Sequence, residues 1–70
     1  MEKIKVYYDK KGNTLVVWFG EARDEYICEE TGEEIIIMKD KNGKALGFEK
    51  LNYLPDSATD RKIVFETATV

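Results

Sequence analysis

Fourteen carboxylates, one thiol and no imidazole set the chemistry open to this chain. Without histidine, the commonest general base is missing, and Ser–His dyads, Cys–His dyads and imidazole zinc sites are all closed. Ser57 stands in a polar loop with no base beside it. Cys28 is followed by Glu29 and Glu30, whose charge disfavours the thiolate, so it reads as a small buried apolar residue. As the single cysteine it also rules out an internal disulfide. Paired carboxylates could serve glycoside hydrolysis, but that chemistry needs a cleft, and a domain of 70 residues has little volume to enclose one. Asp9 and Asp40 read first as turn formers whose side chains accept backbone N–H bonds. Asp40-Lys41-Asn42-Gly43 lacks the remaining ligands of a calcium loop, and no glycine belongs to a phosphate cradle between a strand and a helix. The reading is therefore a non-enzymatic chain with no cofactor and no metal.

The charged residues are better read as a surface. Net charge is −3, yet Glu21, Asp24, Glu25, Glu29, Glu30, Glu33 and Glu34 crowd one segment against the single base Arg23. The remainder carries a small positive excess. Clustered acid argues against nucleic acid as the main ligand, since phosphate binding needs clustered Lys and Arg to release counterions. It points instead to a basic protein partner, with Glu21, Asp24, Glu25, Glu29, Glu30 and Glu33 as the candidate contacts. The alternative is a weak single-stranded nucleic-acid binder using Lys3, Lys5, Tyr7, Lys10 and Lys11.

The elements that must position these groups are strands. Lys3 to Tyr8 alternates, Asp9-Lys10-Lys11-Gly12 turns, and Thr14 to Phe19 returns, apolar on both sides. The same Asp-x-x-Gly chemistry at Asp40 to Gly43 joins Glu34 to Lys39 with Ala45 to Leu51. It suits a type I turn closed by a left-handed glycine. Counting outward from Asp9 opposite Asn13 pairs Val6 with Val16 and Ile4 with Trp18. Counting from Asp40 opposite Lys44 pairs Met38 with Leu46, Ile36 with Phe48, and Glu34 with Lys50 as an ion pair. From Gly20 to Thr31 a short strand through Tyr26, Ile27 and Cys28 is preferred, and a helical turn is also compatible. Pro55 stops the sheet, and Lys62 to Thr67 reads as one more strand, pairing within the chain or across a dimer.

The expected fold is all-β, an antiparallel meander of four to five strands built on two hairpins, with a domain over 1–54 and an extension over 55–70. Its core would hold Ile4, Val6, Val16, Trp18, Ile36, Met38, Leu46 and Phe48. The reverse face, with Leu15, Val17, Phe19, Ile35, Ile37 and the gap at Gly47, is too apolar to stay wet, so a homodimer through it is expected. A domain this small buries only about 60% of its unfolded surface and gains about 3 to 5 kcal/mol from its own core, which self-association would supplement. No apolar run approaches a membrane span and no signal-peptide pattern opens the chain, so a cytoplasmic location is expected.

Tyr8-Asp9, Asn13 through Phe19, Lys39-Asp40 through Gly43, and above all Leu46-Gly47-Phe48-Glu49-Lys50-Leu51 resemble the domain-of-unknown-function family 2283, small uncharacterised prokaryotic proteins, over Ile4 to Leu54. The chain departs from the pattern at Glu34-Ile35, where that family has Gly followed by Val, and in the tail after Pro55. The resemblance implies no established activity. Some relatives are encoded beside small toxin-like proteins, which would suit an antitoxin-like or partner-binding role.

Overall fold

A computed structural model describes residues 3–55 and 66–68. Among the described residues the alternating stretches become five strands: β1 (Lys5–Asp9), β2 (Thr14–Trp18), β3 (Ile27–Glu30), β4 (Ile35–Lys39) and β5 (Ala45–Lys50). All are antiparallel in one sheet of order β1-β2-β5-β4-β3. The all-β antiparallel class is as expected, and the strand order refines it. β3, β4 and β5 form a meander, while β2 lies beside β5 and reaches β3 by a long connection across one end, the connectivity of a Greek key. The segment before β3 contains both features compatible with its sequence, a 3-10 turn at Ala22–Asp24 and then the strand. The strand expected over Lys62 to Thr67 lies largely outside the described residues.

The register of the first hairpin differs from the expected one throughout, and that of the second holds at Lys39–Ala45 and departs beyond it, for two local reasons. In the first loop the left-handed residue is Asn13 (φ 53°), one place after Gly12, so Asp9 pairs with Thr14 and Lys5 with Trp18. In the second, Gly43 (φ 83°) closes the turn as expected and Asp40 Oδ1 accepts from the backbone N–H groups of Asn42 and Lys44 at 2.8 and 2.9 Å. Lys39 then pairs with Ala45, but Met38 pairs with Gly47, leaving Leu46 as the extra residue of a β-bulge. The Leu46 carbonyl accepts from Phe19 N (2.9 Å) and Gly20 N (2.8 Å), which ties the bulge to the end of β2.

A one-residue slip moves a strand's side chains to the opposite face relative to its partner. One face therefore carries the rows Val6–Val17–Phe48–Ile37 and Tyr8–Leu15–Lys50–Ile35, and the other carries Lys5–Trp18–Gly47–Met38–Cys28 and Tyr7–Val16–Glu49–Ile36–Glu30. The expected core is corrected accordingly. Met38 and Leu46 are buried, but so is Leu15, which the sequence pattern assigns to the reverse face, and Ile4 is 68% exposed. Of the expected dimer face, Leu15, Val17, Ile35 and Ile37 do share one side. Gly47 leaves that group: it is buried on the other face, where an added Cβ would come within 3.1 Å of Trp18 Cα and 3.2 Å of Trp18 Cε3. Phe19 lies just past β2 and is exposed.

Candidate interaction site

Every residue from Phe19 to Glu34 is exposed, so the acidic segment forms one continuous rim from the end of β2 through the edge strand β3. Along it the carboxylates have different tasks. Glu21 lies 3.9 Å from Arg23 across the 3-10 turn. Glu29 pairs with Lys39, diagonally across the β3–β4 ladder, and charged groups of this kind protect a sheet edge from pairing with other chains. Glu33 donates its backbone N–H to Thr31 Oγ1 at 3.4 Å in the loop before β4. Asp24 and Glu25 line a shallow groove of about 470 Å³ with Arg23, Tyr26 and Lys41, so bases offset part of their charge there. Glu30 closes β3, in the row of Ile36. Tyr26 (69% exposed) and Ile27 (52%) add apolar surface to the rim.

Cys28 is exposed, which corrects the buried residue expected from sequence, because β3 is an edge strand. Its thiol donates to Glu25 Oε2 at 2.9 Å, and this hydrogen bond, followed by desolvation and the nearby charges of Glu25 and Glu49, pushes the thiol above its ordinary pKa. It is a poor nucleophile at neutral pH. Glu34, at the other end of the rim, has its carboxyl held below the usual range by hydrogen bonds from Asn52 (3.1 Å) and then Lys50 (3.4 Å). The Glu34–Lys50 ion pair is thus present, as the sequence leads one to expect, although Lys50 sits opposite Ile35. Glu34 also adopts φ 61°, a left-handed conformation that suits glycine.

A second cavity, about 530 Å³, opens between the 3-10 turn and the ends of β1, β2 and β5. Lys3, Lys5 and Lys44 face it together with Glu21, Asp24 and Asp40, a balanced set that favours no single charge of ligand. Among the described residues no group of three His, Cys, Asp or Glu is placed to hold a metal ion, and no helix is long and apolar enough to cross a membrane. Lys5 and Tyr7, candidates for nucleic-acid contact, share one face of the edge strand β1 and are exposed.

Sequence reasoning missed Asn13. It is 4% exposed and has a partner at every side-chain polar atom: Tyr8 Oη donates to Oδ1 at 2.6 Å, Leu54 N donates to Oδ1 at 3.1 Å, and Nδ2 donates to Leu54 O at 2.8 Å. Tyr53 N also donates to the Asn13 carbonyl at 3.0 Å, and the Tyr8 and Tyr53 rings meet edge-on at 6.5 Å. Asparagine tolerates left-handed backbone better than other non-glycine residues, and its place just after Gly12 is the signal that could have revealed this.

The segment held in this way contains the last residue of a wider match. A family model described as "Protein of unknown function (DUF2283)" matches residues 5–53, which is more than half of the chain. The chain belongs to the DUF2283 family. The DUF2283 match runs from the first residue of β1 to Tyr53, taking in all five strands and Asn13. No curated protein and no solved structure matches the chain significantly.

Proposed function

We propose that this DUF2283 protein is a non-enzymatic interaction module, antitoxin-like in character, whose acidic rim binds a basic protein. The observation that carries this reading is the unbroken exposure from Phe19 to Glu34, which displays the concentrated acid beside Tyr26 and Ile27. Acidic side chains steer a basic partner, and exposed aromatic and aliphatic groups supply the contact area that charge alone lacks. The test is affinity capture from the source cell, followed by titration of the purified partner at rising salt. A small basic protein whose affinity falls as salt rises, and falls further with Glu30→Lys and Glu33→Lys, is the expected result. Absent or salt-insensitive binding would remove the reading.

A second reading, weak binding of single-stranded nucleic acid through Lys3, Lys5, Tyr7, Lys10 and Lys11, is supported by the common face of Lys5 and Tyr7. A gel shift with single-stranded RNA and DNA at low salt distinguishes the two.

A further inference from the structure

The sheet has two open edges among the described residues, β1 and β3, and their charge patterns differ. A strand edge presents unpaired N–H and C=O groups that another strand can complete. Across a two-fold axis the pairing is antiparallel and self-complementary, so each residue must suit its mirror position in the same sequence. The edge strand β1 reads Lys5-Val6-Tyr7-Tyr8-Asp9. Centred on Tyr7, it places Lys5 opposite Asp9 of a second copy, Val6 opposite Tyr8, and Tyr7 opposite itself. That arrangement brings two opposite-charge pairs and two apolar pairs together with no like-charge contact within the strand. Lys5, Tyr7 and Asp9 are exposed, and only one Asp9 oxygen is engaged in the described hydrogen bonds, accepting from Lys11 N at 3.0 Å. The edge strand β3, Ile27-Cys28-Glu29-Glu30, fails the same comparison, because it would set Ile27 against Glu30 and Cys28 against Glu29 and gather four carboxylates with no base in the strand itself, Lys39 already being paired with Glu29.

We infer that two copies of this chain pair through β1 about Tyr7, joining their described sheets edge to edge and leaving the acidic β3 edges at the outer ends. The apolar face grows with the pairing, since Val6 of one copy continues into the Tyr8–Leu15 row of the other. Five residues a side make a small contact, so dimerisation is concentration-dependent. This interface is separate from the acidic rim, and its failure would leave the proposed partner binding untouched.

Sedimentation of the full chain across a concentration series is the first measurement, with a dimer at high concentration expected. Lys5→Asp sets a carboxylate against Asp9 of the second copy and should weaken dimerisation about tenfold or more. Asp9→Lys should do the same, and an equimolar mixture of the two variants should restore the dimer as a heterodimer. Because Asp9 also serves the turn, a second arm avoids it. In a Cys28→Ser background, Tyr7→Cys should form an intermolecular disulfide under oxidised glutathione, since directly opposed residues lie about 4.5 to 5.5 Å apart. Lys5→Cys should not, because its two copies would be about 13 Å apart at four residues' displacement. A monomer at every concentration, or a dimer indifferent to Lys5→Asp with no crosslink at position 7, would overturn the proposal.

Discussion

The side-chain amide of Asn13 grips the backbone of Leu54 at both polar atoms, accepting its N–H at 3.1 Å and donating to its carbonyl at 2.8 Å. A side chain here does what a neighbouring strand would otherwise do, holding the segment after β5 against the first hairpin loop. Asn13 itself is buried, so a polar group left there without its partner carries a desolvation cost.

Asn13→Ala should accordingly destabilise the fold by about 2 to 4 kcal/mol, from stranded polar groups and from an alanine that tolerates left-handed backbone less well than asparagine. Asn13→Gly suits that backbone and should cost about 1 kcal/mol less. Urea denaturation of the two variants checks the difference, and hydrogen exchange at the Tyr53 and Leu54 amides should accelerate in both.

Gly47→Ala should be among the most damaging small substitutions, at about 3 kcal/mol. The new methyl would run into the Val17 carbonyl oxygen and crowd the Trp18 ring, so β2 and β5 would have to part. Thermal melts monitored by tryptophan fluorescence should show a lower midpoint together with altered Trp18 emission.

Glu34 sets a pH dependence with a definite sign. Its carboxyl titrates lower in the folded chain than in the unfolded one, so its stabilisation is complete above the ordinary Glu value and is lost as pH falls through the depressed one. Glu34→Gln should flatten part of the acid limb of a Tm-against-pH curve. Glu34→Gly removes the ion pair and the Asn52 hydrogen bond but relieves the left-handed backbone, so its Tm relative to the parent chain should be higher at about 1 M salt, where the Debye length is only about 3 Å, than at low salt.

Cys28 should react slowly with a thiol reagent at neutral pH despite its exposure, because the Glu25 carboxylate holds the protonated form. Glu25→Gln should speed modification at a fixed pH and move the rate profile to lower pH. Equal rates in the two proteins would show that the hydrogen bond does not govern the thiol.

Local patterns in the sequence were enough to determine the four strands of the two hairpins, the Asx chemistry of Asp9 and Asp40, the Glu34–Lys50 pair and the acidic segment, because alternation, turn propensity and charge act over a few residues. Tertiary structure alone decided the registers, the placing of β2 beside β5, the exposure of Cys28 and the burial of Asn13. The physical reason is that β2 and β4 are apolar on both faces, so alternation alone does not say which face meets which partner, and a slip of one residue still leaves apolar side chains on either side. One left-handed Asn13 and one extra Leu46 were enough to exchange the faces, and their choice depended on partners far along the chain, Leu54 for the first and the end of β2 for the second.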